Sequence, residues 1–557
     1  MKQLAEQLKK IIAGDVFDDD ATLAHYSTDY SLFAVKPRAV AYPKDREDIK
    51  QLVLFATKNK ISLTARSAGT DMTGGPLNEG IILDMTKFLN KLLEIGSDFA
   101  VVEPGLYYRD FEKATLAKGL LFPPYPASKG LCAIGGIVAN NSGGEKSLAY
   151  GKTAQWVSEV KMILRDGNEY AFHALTKPEL NAKMSGTGVE AEIYCQTYKL
   201  IKDNYDAIMA AKPKVSKNSA GYALWDVYDR ELQRFNLCNL IVGSQGTLGI
   251  ITEATLKLIK PKAHSALLVI FINEFALLAD VVPRILKHQP ESFESYDDNT
   301  FKIALEFLPD LVKSMGASGV LSLGWRFLPE FWMAITGGTP KMVLIAEFTG
   351  DSEDEVHLKA HRAEAELIGL KLKTHVAKDD KEEEKYWTVR RESFKLLTDH
   401  SKGQRTEPFI DDIVVPPECL SEFLPKLHQI LEPYHLTLTI AGHIGNGNFH
   451  IIPLGKVGDQ NLRTTIPELE QKVFKLVVAY GGSITGEHND GIVRTPYLEL
   501  MYGAEICRLF AKVKNIFDPH NIFNPGKKAS PSTERSSGSW VGDTVEYEIG
   551  HLNTQKL

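Results

Sequence analysis

The chain has 557 residues, with 64 Lys and Arg against 71 Asp and Glu, and a formal net charge of −7. That balance leaves no electrostatic footprint for a nucleic acid, and the length is enough for about three or four domain-sized units. Five scattered cysteines, Cys132, Cys195, Cys238, Cys419 and Cys507, form no C-x-x-C pair, which speaks against a disulfide framework or an iron–sulfur cluster and suits a reducing compartment.

Residues 1–36 read as a helical lead-in. The opening segment is amphipathic but carries Glu6, and Asp15, Asp18, Asp19 and Asp20 follow, unlike a signal peptide. No run of about 18 apolar residues occurs, so no membrane span is expected and the chain reads as cytoplasmic.

From Pro37 the pattern alternates strand and helix: a strand over 39–43, a helix from Asp45 to about Lys58, and a strand over 61–65. The last runs into Arg66-Ser67-Ala68-Gly69-Thr70-Asp71-Met72-Thr73-Gly74-Gly75. Successive N–H groups in such a loop make an anion-binding concavity, although taken alone an ordinary β–α turn explains it equally well. Strands follow over 81–84 and 100–105. Two further Gly-rich stretches, 132–144 and 242–253, sit among apolar residues. That much glycine is unfavourable in any fold and makes sense where backbone lies against a large flat ligand. No G-x-G-x-x-G with a following acid stands out, so no Rossmann site is expected. The stretch 257–262 closes this half.

From His264 onward, buried-strand runs at 267–272 and 342–348 and a helix over 351–368 suggest an α+β sheet covered by helices. Between them 307–339 reads as an insertion with Phe327, Leu328, Phe331, Trp332 and Met333. Packing on the domain is its plainer reading; a patch for a membrane surface or redox partner is the sharper one. Tyr386-Trp387-Thr388-Val389-Arg390-Arg391-Glu392 offers an arginine fork suited to a carboxylate, against the common fate of a surface Arg–Glu pair.

The stretch 442–450, G-H-I-G-N-G-N-F-H, lies between strands at 436–440 and 449–453. Seven residues apart, His443 and His450 cannot share a face of one strand, and Gly445, Asn446, Gly447 and Asn448 argue against a helix. A folded-back loop would aim both imidazoles at one point. Alone, two such histidines are more often structural. A second Gly-rich turn, 481–491, adds Glu487 and His488, and two His with one carboxylate leave open positions on a metal. Beyond 516–527, residues 528–557 have linker composition and read as a tail.

G-H-x-G-[DN]-G-N-x-H at 442–450 and G-E-H-x-D-G-x-x-R at 486–494 resemble the signature of FAD-linked D-2-hydroxyacid dehydrogenases, such as D-lactate and D-2-hydroxyglutarate dehydrogenases. The three Gly-rich loops, over about 37–261, resemble the FAD-binding half of vanillyl-alcohol-oxidase-like flavoproteins. The resemblance implies an α+β fold: a two-subdomain FAD-binding unit over 37–262 and a ferredoxin-like substrate, or cap, domain over 263–527. Carried over, the FAD contacts are Arg66, Ser67, Gly69, Thr70 and Gly75 in the first loop. Ser128, Gly135, Gly136, Asn140 and Gly144 follow in the second, Gly246, Gly249 and Ile250 in the third, and Asn524 in the closing motif approaches the flavin. Thr70 and Asp71 stand where covalently tethered members carry a His, so FAD is expected without a bond to the chain.

The same resemblance assigns Arg390 to the substrate carboxylate and His443, His450 and Glu487 to a divalent metal. Zn²⁺ is the first choice over Mn²⁺ and Fe²⁺. The metal would bind and acidify the 2-hydroxyl of a D-2-hydroxy acid, and hydride would pass from C2 to the flavin. His488 would take the proton, with an unperturbed pKa of about 6.5. Asn446 and Asn489 replace the commoner Asp and Gly of the motifs and should tune the surroundings of the metal. Phe394 and 409–412 stand where hydroxyglutarate enzymes have a Thr and a Lys, which leaves the far end of the substrate undefined. The expected partners are the hydroxy acid and an electron acceptor such as a quinone or an electron-transfer flavoprotein. A homodimer and a peripheral contact with the inner face of a membrane are compatible with this reading. Three rivals stay open: an O₂-using oxidase, a non-redox enzyme of the alkyl-glycerone-phosphate synthase kind, and a non-catalytic FAD subunit.

Overall fold

The computed structural model describes residues 2–300, 340–400, 404–406, 408–456 and 462–529. The expected insertion at 307–339, with Phe327, Leu328, Phe331, Trp332 and Met333, and the tail from 530 lie outside the described residues. No described helix is long and apolar enough to cross a membrane.

The first half contains two sheets. In one, Ala39–Tyr42 and Leu63–Arg66 flank Ile81–Asp84 in parallel, and Asp15–Phe17 pairs antiparallel at the edge. Parallel neighbours need a crossover, which Arg46–Asn59 supplies. Asp45 caps that helix by accepting from the Asp48 N–H, and its apolar stripe, Ile49, Leu52, Val53 and Ala56, is buried. The central strand, Ile-Ile-Leu-Asp, is buried throughout, as a covered parallel strand requires. The other sheet has seven antiparallel strands in the order Leu92–Ile95, Phe99–Val102, Ile250–Lys257, Val157–Ile163, Glu169–Leu175, Arg234–Asn236, Tyr228–Asp229.

The second half is built on an eight-stranded antiparallel sheet. Its order is Lys373–Val376, His264–Ile272, Met342–Gly350, Ser292–Asp297, Thr437–His443, Asn448–Lys456, Gln404–Thr406, with Ile413–Val414 also on Asn448–Lys456. Helices Leu278–Leu286, Glu353–Ala365 and Leu420–Leu431 bury their apolar stripes in its core. The sheets-plus-covering-helices pattern is the α+β class read from the sequence.

The chain then returns to the first half. Ile506, Leu509, Phe510, Val513, Ile516 and Phe517 of the helix Leu498–Phe517 enter the core of the seven-stranded sheet. The Leu63 N–H donates to the Ile522 carbonyl at 2.7 Å, and Phe523 enters the core of the parallel sheet. This return joins the two halves at the site described next.

One buried acid gives a pH prediction independent of the site. Burial pushes Glu470 up to about 8, against the Tyr497 hydroxyl, which donates to it at 2.8 Å, and the nearby Arg494 charge. A carboxyl whose folded pKa is raised keeps its proton while the unfolded chain ionises. Stability is therefore lost as pH rises from about 4.5 to about 8. Glu470→Gln is expected to raise the melting temperature, with a gain that grows from about pH 5 to about pH 8. Melting curves across that range check the sign; a gain confined to acid pH would reverse it.

Candidate active site

The histidine pair is set by the hairpin Thr437–His443 and Asn448–Lys456, in which Ala441 pairs with His450 and His443 with Asn448. Paired residues share a face, and so do Ala441 and His443, so the register makes His443 and His450 diagonal neighbours on one face. Chain reversal thus achieves what a spacing of seven on one strand cannot. The turn is a short 3₁₀ segment, Ile444–Asn446, ended by Gly447 at φ +66°. A Cβ on Gly447 would lie 1.8 Å from the Val415 carbonyl oxygen, so only glycine closes this turn. The two imidazole centroids are 5.3 Å apart, edge to face.

The 481–491 turn is delivered by Ile413–Val414, which pairs with the second hairpin strand while the Val414 N–H donates to the Ser483 carbonyl at 2.9 Å. Asp412 shapes the turn: its Oδ2 accepts from the backbone N–H of Glu487 at 2.8 Å and of His488 at 2.7 Å, and from the Thr485 hydroxyl at 2.6 Å. Arg494, fully buried, donates to the carbonyls of Ile484, Asn489 and Asp411. As a result Glu487 Oε1 stands 3.4 Å from His443 Nε2, and His488 stacks on His450 with centroids 5.1 Å apart.

His443, His450 and Glu487 each offer a ligand atom within 4.8 Å of the others. Their chemistry suits a divalent cation. The Nδ1 of His443 is taken by Glu294 Oε1 at 2.6 Å and that of His450 by Asp411 Oδ1 at 3.1 Å, leaving each Nε2 for a ligand bond. Burial would raise Glu487, but Lys217 and His443 hold it well below the usual carboxylate range. Burial likewise opposes Asp411, which His488 and His450 hold far below that range.

His488 departs from expectation. Its Nδ1 lies 2.7 Å from Asp411 Oδ2. Burial would lower the imidazole, but the Asp411 and Asp412 carboxylates push it up to about 9. The unperturbed value assumed from sequence is corrected on this point, because both acids lie outside the motif that carries the histidine.

The three Gly-rich loops of the first half converge beside this cluster. Asp71 Oδ1 accepts from the N–H of Thr73 at 2.7 Å and of Gly75 at 3.0 Å, while its Oδ2 accepts from Asn140 Nδ2 at 2.8 Å. Asn140 ends the helix Ile134–Asn140, which contains Gly135 and Gly136. Asn489 Nδ2 donates to the carbonyls of Asn140 at 3.2 Å and Gly243 at 2.9 Å, and so ties the Glu487–His488 turn to the second and third loops. Asn524 donates to the carbonyls of Gly75 at 2.9 Å and Gln245 at 2.7 Å, binding the first loop to the third. Asn446 reaches Ser216 Oγ at 2.8 Å.

Other expected FAD residues lie in these loops. Arg66 sits over the Tyr26 ring, 5.1 Å from its centroid, and Ser67 Oγ donates to the Pro104 carbonyl at 3.2 Å. Gly69 and Thr70 follow between Ser67 and Asp71. The Ser128 carbonyl accepts from the Cys132 N–H at 2.9 Å, and Gly144 packs against the Tyr125 backbone. Gly249 immediately precedes Ile250, the first residue of the strand Ile250–Lys257. Gly246, at φ +67°, has nothing within 4 Å of where a Cβ would stand, so bare backbone opens onto space. Bare backbone at that point is compatible with a flat group lying against it.

Arg390 lies at the cluster, paired to Glu294 Oε2 through Nη2 at 2.9 Å and Nε at 3.1 Å. Glu294, 1% exposed, therefore bridges Arg390 and His443. Sequence reasoning missed Glu294, Asp411, Asp412 and Lys217. The two aspartates in the apolar run 409–415 were the visible signal; nothing in the sequence around Glu294 or Lys217 marks them.

Residues 37–172 match the FAD binding domain family, and residues 261–528 match the C-terminal domain of FAD linked oxidases. The chain is 26% identical over 527 residues to D-2-hydroxyglutarate dehydrogenase of Pseudomonas putida (strain KT2440), covering 93% of this chain and 51% of that protein. It is also 26% identical over 530 residues to D-lactate dehydrogenase of Archaeoglobus fulgidus, covering 94% of this chain and 98% of that one. The chain thus spans about half the length of the hydroxyglutarate dehydrogenases of Pseudomonas putida, Escherichia coli, Pantoea ananatis and Haemophilus influenzae, but 93% of that of Xanthomonas citri, to which it is 24% identical. In fold it is similar to 4-ethylphenol oxidase from Gulosibacter chungangensis, with a TM-score of 0.67 at 17% identity over 95% of this chain and 97% of that one.

Proposed function

For a chain that belongs to the FAD-linked oxidases and carries both their FAD-binding and C-terminal domains, we propose a dehydrogenase that oxidises a D-2-hydroxy acid to the 2-oxo acid. The observation that carries this reading is the joining of two clusters. The His443–His450–Glu487 set and the His488–Asp411 pair abut the FAD loops through Asn489.

When bound, FAD supplies a hydride acceptor and a divalent cation, Zn²⁺ by first choice, supplies the charge that acidifies a hydroxyl. His443 Nε2, His450 Nε2 and Glu487 hold the cation. Arg390, steadied by Glu294, takes the substrate carboxylate, where a guanidinium fork fits better than an ammonium. His488 takes the hydroxyl proton at Nε2, with Nδ1 fixed by Asp411. The base acts in its neutral form; a bound cation would supply positive charge that opposes the pull of Asp411 and Asp412. Arg66, Ser67, Gly69, Thr70, Gly75, Ser128, Gly135, Gly136, Asn140, Gly144, Gly246, Gly249 and Ile250 hold FAD, and Asn524, which ties the first loop to the third, approaches the flavin. The division at 37–262 and 263–527 and the need for an electron acceptor, a quinone or flavoprotein, are parts of the same proposal.

Anaerobic mixing of the purified protein with a panel of D-2-hydroxy acids, with metal analysis of the same sample, tests the reading. Bleaching of the flavin band by at least one acid is expected; no bleaching by any would favour the non-redox rival. Oxygen uptake during turnover separates an oxidase from a dehydrogenase. A second expectation follows from Thr70 and Asp71 in the first loop. Acid precipitation should release intact FAD into the supernatant, and colour retained by the pellet would disprove non-covalent binding.

A further inference from the structure

Lys217 is 1% exposed, and the reaction proposed above gives it no task. It lies in an irregular segment between the helix Tyr205–Ala210 and the short turn Leu224–Asp226. Contacts on both sides pin that segment to the site: Ser216 Oγ accepts from Asn446 Nδ2 at 2.8 Å, and the Ser219 N–H donates to the Thr485 carbonyl at 3.0 Å. The Lys217 ammonium lies directly on Glu487 Oε1, with the Gly144 carbonyl oxygen 3.5 Å away. The same Glu487 oxygen is the one 3.4 Å from His443 Nε2. A buried ammonium is strongly unfavourable unless paired, and Glu487 is the only carboxylate in contact with it among the described residues.

Resting on the reading of His443, His450 and Glu487 as cation ligands, we infer that Lys217 is a positioning residue that acts as a resident cation. It keeps Glu487 aimed at the two imidazoles in the metal-free protein, and it weakens the hold of the site on a divalent ion. The donor set brings one negative charge, so a divalent ion on it is already in excess, and Lys217 adds a second cation on the same carboxylate oxygen. Like charges this close in a buried site repel strongly. The surrounding acids do not cancel the effect. Glu294 is engaged by Arg390 and His443, Asp411 by His450 and His488, and Asp412 by backbone N–H groups and the Thr485 hydroxyl. Lys152, also buried, donates to the Gly486 carbonyl next to Glu487 and brings no negative charge.

The test is a Zn²⁺ titration of the metal-stripped full-length protein against a chromogenic chelator, with thermal melts with and without Zn²⁺, for wild type, Lys217→Met and Lys217→Arg. Lys217→Met is expected to bind Zn²⁺ at least about tenfold more tightly. Metal-free, it should melt below wild type, because Glu487 loses its partner, and added Zn²⁺ should close that gap. Lys217→Arg keeps the charge and should show no tightening. Should Lys217→Met fail to fold, Lys217→Gln, which keeps a donor on Glu487 without the charge, must show the same tightening. An unchanged or weaker Zn²⁺ affinity in the uncharged variant overturns the inference and leaves the metal site standing. Absence of divalent-ion binding in the wild type and in the uncharged variants alike overturns the metal site itself.

Discussion

Replacing His443 or His450 with Ala, or Glu487 with Gln, is expected to strip the protein of its divalent cation and abolish flavin reduction by a D-2-hydroxy acid. Each supplies one of three ligand atoms within 4.8 Å of one another, and its loss leaves only two of the three proposed ligands. The carboxylates behind the imidazoles should matter less, because they act by orienting. Glu294→Gln and Asp411→Asn should weaken metal binding by about 10–100-fold, the usual range for outer partners of histidine ligands. Asp411→Asn should be the more harmful to turnover, since that carboxylate also faces His488 Nδ1 at 2.7 Å. Elemental analysis of each variant and rapid-mixing absorbance of the flavin give the two readouts. A His443→Ala protein that keeps a full complement of metal and its reduction rate would sink the ligand assignment.

The parts of the site readable in the sequence are those whose chemistry is local. His443, His450, Glu487 and His488 fall in two short motifs, and the glycines of the cofactor loops announce themselves because bare backbone has few other uses at that density. The parts that were not legible come from distant segments. Glu294 stands in the middle of the strand Ser292–Asp297, and nothing about that strand says that its neighbour will be Thr437–His443 rather than another. The segment that carries Lys217 is fixed by its neighbours, Ser216 on Asn446 and Ser219 on Thr485, more than two hundred residues away in sequence. The electrostatics followed the same division: the pKa of His488 is set by Asp411 and Asp412, so no reading of the 481–491 turn alone could have placed it. The return of Leu498–Phe517 to the first half was equally hidden, since an apolar helix stripe reveals that it is buried without revealing in which core.

His488→Asn should separate the base from the metal. The side chain is not one of the three proposed ligands, so the variant is expected to keep its cation and to bind hydroxy acid through Arg390, yet to reduce its flavin slowly. General base catalysis is typically worth about 10²–10⁴-fold, or roughly 3–5 kcal/mol of barrier. The pH profile gives the sharper readout. His488 must be neutral to accept a proton, so the wild-type rate of flavin reduction should fall as pH drops below the pKa of the imidazole. Asp411 and Asp412 raise that pKa, to about 9 in the metal-free protein, and a bound cation lowers it. The wild-type limb should therefore lie at or below about pH 9 and rise with pH. In His488→Asn that limb should flatten, because the group that titrates there is gone. The Asp411→Asn protein should shift the limb to lower pH rather than remove it, having lost the nearest charge that favours the imidazolium. If His488→Asn loses its metal while His443→Ala retains it, the two roles are exchanged. If His488→Asn reduces flavin at the wild-type rate, the proton leaves by another route.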